Sequence, residues 1–266
     1  MDEFSWMLPY LALGLAVGFF AGLLGIGGGG IMVPVLTMLF ISQAFAGEHV
    51  LHLALGTSMA SIVITSCSSL YNHHQRGAVR WDIVRMMALP LALGTLSLAM
   101  FASTLSSTFL AILFSVFMTY IAIQMFLDFK PKASRALPQP LILSVVGFSV
   151  GGLSALVAVG GGTLNVPFLT WCNINIKHAI GTSAALGLPI ALAGSMGYML
   201  SGWSVQGLPA YSLGYVYLPA VLLISLVSVF TAPFGVRFAH FLPISLLKKI
   251  FASILLLLAA QMLYIL

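Results

Sequence analysis

Two glycine runs carry the residues in this chain best suited to hold a ligand. GLLGIGGGGIMVPVL (22–36) contains Gly27, Gly28, Gly29 and Gly30, followed by Pro34. AVGGGTLNVPFL (158–169) contains Gly160, Gly161, Gly162, Thr163 and Asn165, followed by Pro167. Glycine and proline are the poorest helix formers, so each run interrupts an apolar stretch. A helix that starts at such an interruption exposes backbone N–H groups and the positive end of its dipole. Glycine lets a ligand approach that backbone closely. The pair can therefore hold an anion without a formal charge of its own. Pro34 and Pro167 suit a helix start or hinge, because proline's missing N–H forfeits nothing in a first turn.

A second motif, Gly-Thr-Ser, recurs at 56–58 and 181–183. The hydroxyls of Thr57, Ser58, Thr182 and Ser183 can donate to an anion or bond back to the carbonyl four residues earlier, and the spacing leaves both open. Asn165 adds an amide donor. Its counterpart in the first run is Met32, so the two half-sites are unequal. His52 and His178 lie about one helical turn before the Gly-Thr-Ser motifs and are candidate proton carriers near neutral pH; interfacial or satisfied histidines are the alternative. Packing is the alternative for glycine as well. Gly14, Gly18 and Gly22, echoed by Gly147, Gly151 and Ala155, recur every fourth residue and suit close helix approach. A continuous run of glycines is not such a stripe.

Several chemistries lack their residues. Asp2, Glu3, Glu48, Asp82 and Asp128 are terminal or in loops, so no carboxylate is expected at mid-membrane depth to bind a cation. His, Cys and carboxylates show no metal-ligand spacing. No HExxH or P-loop occurs, so the chain is not expected to be an enzyme or to use a cofactor. Cys67 and Cys172 form no CxxC pair and are expected to be buried thiols.

The elements that position these residues follow from composition. Of 266 residues, 61% are hydrophobic and 6% charged, and the mean hydropathy is +1.12. A soluble domain carries about 25% charged residues, so this chain belongs in a lipid bilayer as an all-α polytopic protein. The net charge of +5 comes from basic residues in short loops, which signal topology rather than nucleic-acid binding. The opening MDEFSW has no basic segment, so the first apolar stretch is expected to stay in the mature protein.

Apolar segments fall at 7–25, 31–42, 50–71, 83–103 and 107–127, and again at 139–158, 162–172, 178–200, 213–234 and 245–266. The sets are an internal repeat. Gly28, Gly29, Val33 and Pro34 match Gly161, Gly162, Val166 and Pro167 at a constant offset of 133, and the Gly-Thr-Ser motifs match at 125. We read residues 1–129 and 139–266 as two membrane repeats joined by a cytoplasmic linker at 130–138. Arg76, Arg80 and Arg85 follow the third segment of the first half. In the second half the equivalent loop, 201–214, has no charge, and Arg237, Lys248 and Lys249 follow the fourth segment. Positive loops face the cytoplasm, so equivalent loops face opposite sides and the repeats are inverted. Each half then opens with a helix hairpin folded at the glycines and continues with three full crossings. Four plus four crossings in parallel repeats is the alternative.

With both glycine runs, both Gly-Thr-Ser helices and the closing LPAVLLISLVSVFTAPFGVRFA and FLPISLLKKIFASILLLLAAQML, nearly the whole chain resembles the TauE/SafE sulfite exporter family. The resemblance implies a secondary transporter, an exporter in a prokaryotic inner membrane, for a small sulfur-containing anion such as sulfite or an organosulfonate. Homo-oligomerisation stays open. A passive anion channel and a non-transporting assembly subunit are the competing functions.

Overall fold

The computed structural model describes residues 6–24, 28–45, 47–127, 136–239 and 244–265. The linker's first part, 130–135, and Gly27 lie outside them. Among the described residues the chain forms ten α-helices and one two-stranded hairpin. The first half holds α1 (Met7–Leu24), α2 (Gly29–Ser42), α3 (Val50–Gln75), α4 (Trp81–Ala102) and α5 (Ser107–Phe126). The second holds α6 (Pro140–Val157), α7 (Gly162–Trp171), α8 (Ile176–Ser201), α9 (Leu218–Ala239) and α10 (Ile244–Ile265). Strands β1 (Ser212–Leu213) and β2 (Val216–Tyr217) pair antiparallel, Ser212 with Tyr217 and Leu213 with Val216, just before α9.

Seven of the described helical spans are long and apolar enough to cross a bilayer. Leu8, Leu222, Phe230 and Leu257 are among many large apolar side chains left exposed. Such a surface suits lipid and would aggregate in water. Helices α3 and α8 form the centre: their apolar windows are 78% and 67% buried, against 33–44% for the other spans.

Contacts fix the directions. Gly56 meets Tyr198, Met59 meets Gly194 and Ser66 meets Gly187, so α3 and α8 run antiparallel. Ser115 Oγ donates to the Ala259 carbonyl and Lys249 lies 6.0 Å from the Phe126 ring centroid, so α5 and α10 also run antiparallel. Outside this centre α1 lies parallel to α9, and α6 parallel to α4. Gly14, Gly18 and Gly22 face the backbone of α9 at Ile224, Ser228 and Ala232. Gly151 and Gly147 face α4 at Leu91 and Met87. The small-residue stripes are packing seams, as their spacing suggests.

Helix α2 turns back along α1. Tyr10 Oη donates to Gln43 Oε1 at 3.1 Å, and the Tyr10 and Phe40 rings lie 6.5 Å apart. Helices α1 and α2 therefore lie antiparallel, with the start of α1 beside the end of α2. The directions bring the described basic residues to one end of the molecule: Arg76, Arg80 and Arg85, Lys177 at the start of α8, and Arg237, Lys248 and Lys249. Glu48 lies at the other end, where its carbonyl accepts from Ser107 Oγ.

Candidate functional site

Both glycine turns end up beside each other. Ala158 caps α6 in the left-handed region, with φ of 45°, and its carbonyl faces Gly29 so closely that a β-carbon there would collide with it. A β-carbon on Gly29 would also lie 3.1 Å from Ile62, near the mid-length of α3. On Gly161 it would lie 2.6 Å from the Ser183 carbonyl and 3.0 Å from the Gly187 nitrogen, near the mid-length of α8. The turns are thus held at the middle of the two central helices.

Two helices begin here. The Gly28 carbonyl accepts Ile31 N–H and Met32 N–H, and the Gly161 carbonyl accepts Asn165 N–H. Neither start has a side-chain cap. By contrast, Ser106 caps α5 through Phe109 N–H, and Asn175 caps α8 through Lys177 N–H. The N–H groups of a helix's first residues have no partner within the helix, and a buried start without caps needs one from elsewhere. Gly28, Gly29, Gly30 and Gly161 are buried, Gly162 and Thr163 half-buried, and Thr163 Oγ1 donates to the Gly160 carbonyl at 3.4 Å.

Three polar side chains converge on these starts. Asn165 is fully buried, and neither its Oδ1 nor its Nδ2 has a hydrogen-bond partner. Its Nδ2 would lie 3.1 Å from a β-carbon on Gly161, so the amide looks back into the turn. Ser58 and Ser183 are fully buried with unpartnered hydroxyls. Ser58 precedes Ile62, and Ser183 precedes Gly187, by one helical turn on the same face. Each serine therefore faces the half-helix of its own repeat. Unpaired buried polar groups each cost about 1–3 kcal/mol, so these three side chains are open to a partner from outside the chain.

The threonines beside them have another partner. Thr57 Oγ1 accepts Tyr217 N–H at 3.0 Å, and Thr182 Oγ1 accepts Arg80 N–H at 3.0 Å. Tyr217 and Arg80 are the residues immediately before α9 and α4. Gly56 and Gly181 make room for the same two loops, at the carbonyls of Tyr215 and Ala78. In each repeat, Gly-Thr fastens the loop of the other repeat, a use the two sequence readings of these hydroxyls did not include.

His52 Nε2 lies 3.0 Å from the Ala102 carbonyl and 3.1 Å from that of Leu105, while its buried Nδ1 has no partner. His178 Nδ1 lies 3.3 Å from the Ala78 carbonyl, at the basic end. Pro34 and Pro167 need a correction. Each is the sixth residue of its helix, past the first turn, because the helices begin on the glycines themselves. Each ring removes the N–H that would have bonded the carbonyl four residues back, at Gly30 and at Thr163. Cys67 is exposed, not buried; Cys172 is buried.

On the α5 and α10 side the turns border a small apolar recess of about 10 Å³. Gly30 and Thr163 line it with Met118, Phe251 and Leu255. Gly30 and Thr163 are repeat equivalents. Sequence reasoning missed this recess. It also missed the aromatic cluster at the end opposite the basic residues, where the Tyr217 ring lies 5.3 Å from Phe45, 5.8 Å from Phe40 and 6.2 Å from Tyr10. Behind it, Tyr215 Oη lies 3.3 Å from His49 Nδ1; burial pushes the Tyr215 phenol up, so it stays protonated. Only the local YSLGYVYLP, rich in turn and β formers, hinted at a structured loop. Among the described residues no cluster of His, Cys, Asp or Glu could hold a metal.

The family model described as "Sulfite exporter TauE/SafE" matches residues 10–262. A "Probable membrane transporter protein" of Haemophilus influenzae is 39% identical, over 97% of this chain and 98% of its own length. Proteins bearing the same description from Methanocaldococcus jannaschii and Bacillus subtilis (the latter YdhB) are 27% and 26% identical, over 95% and 91% of this chain and 94% and 93% of theirs. The family and these relatives are membrane transporters, not enzymes. No solved structure matches the chain.

Proposed function

The chain belongs to the TauE/SafE sulfite exporter family, and from that premise we propose that it is a secondary transporter, working as an exporter, for a small sulfur-containing anion such as sulfite or an organosulfonate. The anion sits between the starts of α2 and α7, held by their N–H groups, Asn165, Ser58 and Ser183. Thr57 and Thr182 serve the loop ties. The observation that carries the proposal is the contact of Gly29 with Ala158, which joins two uncapped helix starts beside a buried, unpaired Asn165.

Two inverted repeats are supported by the antiparallel contacts of α3 with α8 and of α5 with α10, since parallel repeats would run these equivalent helices the same way. The basic end faces the cytoplasm of a prokaryotic inner membrane and Glu48 the outside. Alternating access rocks the repeats about the joined turns, as in other inverted-repeat carriers. His52, with its open Nδ1, is the better placed of the two proton carriers.

The test is sulfite flux in liposomes holding the purified protein. We expect a saturable rate with counter-transport, abolished by Gly29→Leu and by Gly161→Leu in protein that still inserts. Flux that rises linearly with concentration would make the protein a channel. Normal flux in both variants would remove the turns from the path.

A further inference from the structure

The charge that the site can hold follows from what surrounds it. Among the described buried residues there is no Lys, Arg, Asp or Glu. The backbone of Arg80 is tied to Thr182, beside Ser183. Its guanidinium turns outward to Asp82, Nε to Oδ1 at 2.9 Å, and is 43% exposed. The positive potential in the site therefore comes from the two helix starts and from neutral donors. Each helix start acts as about half an elementary charge, so the pair supplies about one.

Resting on the proposed anion site between α2 and α7, we infer that it accepts a singly charged oxyanion and rejects the doubly charged one of the same shape. Stabilisation by fixed dipoles grows in proportion to the ligand's charge. The cost of stripping water from an ion grows with the square of that charge. A site with about one unit of compensating charge and no cation balances the first negative charge and leaves the second exposed to a low-dielectric interior. Asn165 and Ser183 place most of the side-chain donors on the α7 half. Met32, the fully buried repeat equivalent of Asn165, puts an apolar side chain at that position on the α2 half. A tetrahedral sulfonate bearing one charge and a short apolar group matches both halves.

Binding of three probes to the full purified chain, at one ionic strength and neutral pH, tests this by calorimetry. Methanesulfonate carries one charge, sulfate two and dimethyl sulfone none. We expect methanesulfonate to bind and sulfate to bind at least about tenfold more weakly. Sulfate binding as tightly as methanesulfonate, or more tightly, overturns the charge selection and leaves the anion site standing. Dimethyl sulfone binding as well as methanesulfonate, or neither anion binding, overturns the anion site itself. Asn165→Lys, and independently Met32→Lys, adds a cation to one half. Either variant that folds should move the preference toward sulfate; an unchanged ratio in a folded variant overturns the inference.

Discussion

The hydroxyl oxygen of Thr57 accepts the backbone N–H of Tyr217, 160 residues later, and the repeat-equivalent Thr182 does the same for Arg80. Each repeat thus grips the loop of the other just before its fourth helix. Thr57→Val leaves the buried Tyr217 N–H without a partner, which should cost about 1–3 kcal/mol. We expect a clear fall in the unfolding temperature in detergent, with Thr57→Ser close to the wild type. Equal melting of all three proteins would mean that the tie carries no stability.

The two neighbouring glycines on α6 provide an internal control. A β-carbon on Gly151 would run into the Leu91 carbonyl, whereas one on Gly147 would meet α4 at 3.4 Å, an ordinary contact. Gly151→Ala should destabilise by about 1–3 kcal/mol, the usual cost of overpacking. Gly147→Ala should stay within about 0.5 kcal/mol. Thermal unfolding of the pair checks both, and a reversed order would contradict the packing.

Asn165 separates stability from transport. Its amide has no partner in the protein, so an apolar side chain of similar size removes an unpaired buried group. Asn165→Leu should melt at the same temperature or higher while sulfite flux is lost. A variant that transports normally would take Asn165 out of the site.

His52 can be tested apart from the glycines. Its ring faces the titratable rings of His49 at 5.8 Å and Tyr215 at 5.2 Å, with its Nε2 fixed on the carbonyls of Ala102 and Leu105. His52→Gln keeps a donor for those carbonyls and removes the proton site. We expect folded protein whose flux no longer changes between about pH 5 and 8. An unaltered pH profile would place the proton elsewhere.

The five helices of each half were legible because duplication printed the same punctuation twice: the glycine runs, the Val-Pro pairs and the Gly-Thr-Ser motifs. Loop charge gave the expected ends, and the described basic residues gather at one of them. What stayed hidden depended on long-range partners. Thr57 and Thr182 carry no local mark of the loops they hold, which lie 160 and 102 residues away. Helices α3 and α8 are the most buried of the described spans, so no polar face announces where Ser58 and Ser183 point. The prolines misled because the first-turn rule is a preference. Where the glycines already start the helix, a proline one turn later only frees a carbonyl.

The segregation of charge gives the proposed anion path two different sensitivities. Arg76, Arg85, Lys177 and Lys249 are exposed at one end of the molecule, while no Lys, Arg, Asp or Glu is among the described buried residues around the glycine turns. Ions in solution screen exposed charges over about 8–10 Å at physiological ionic strength, and screen buried dipoles far less. Added inert salt should therefore slow the capture of an anion at that end and leave its residence at the turns unchanged. On the proposed anion path the basic end would then serve as a collector whose reach the medium adjusts, with selectivity decided further in, beyond the reach of salt.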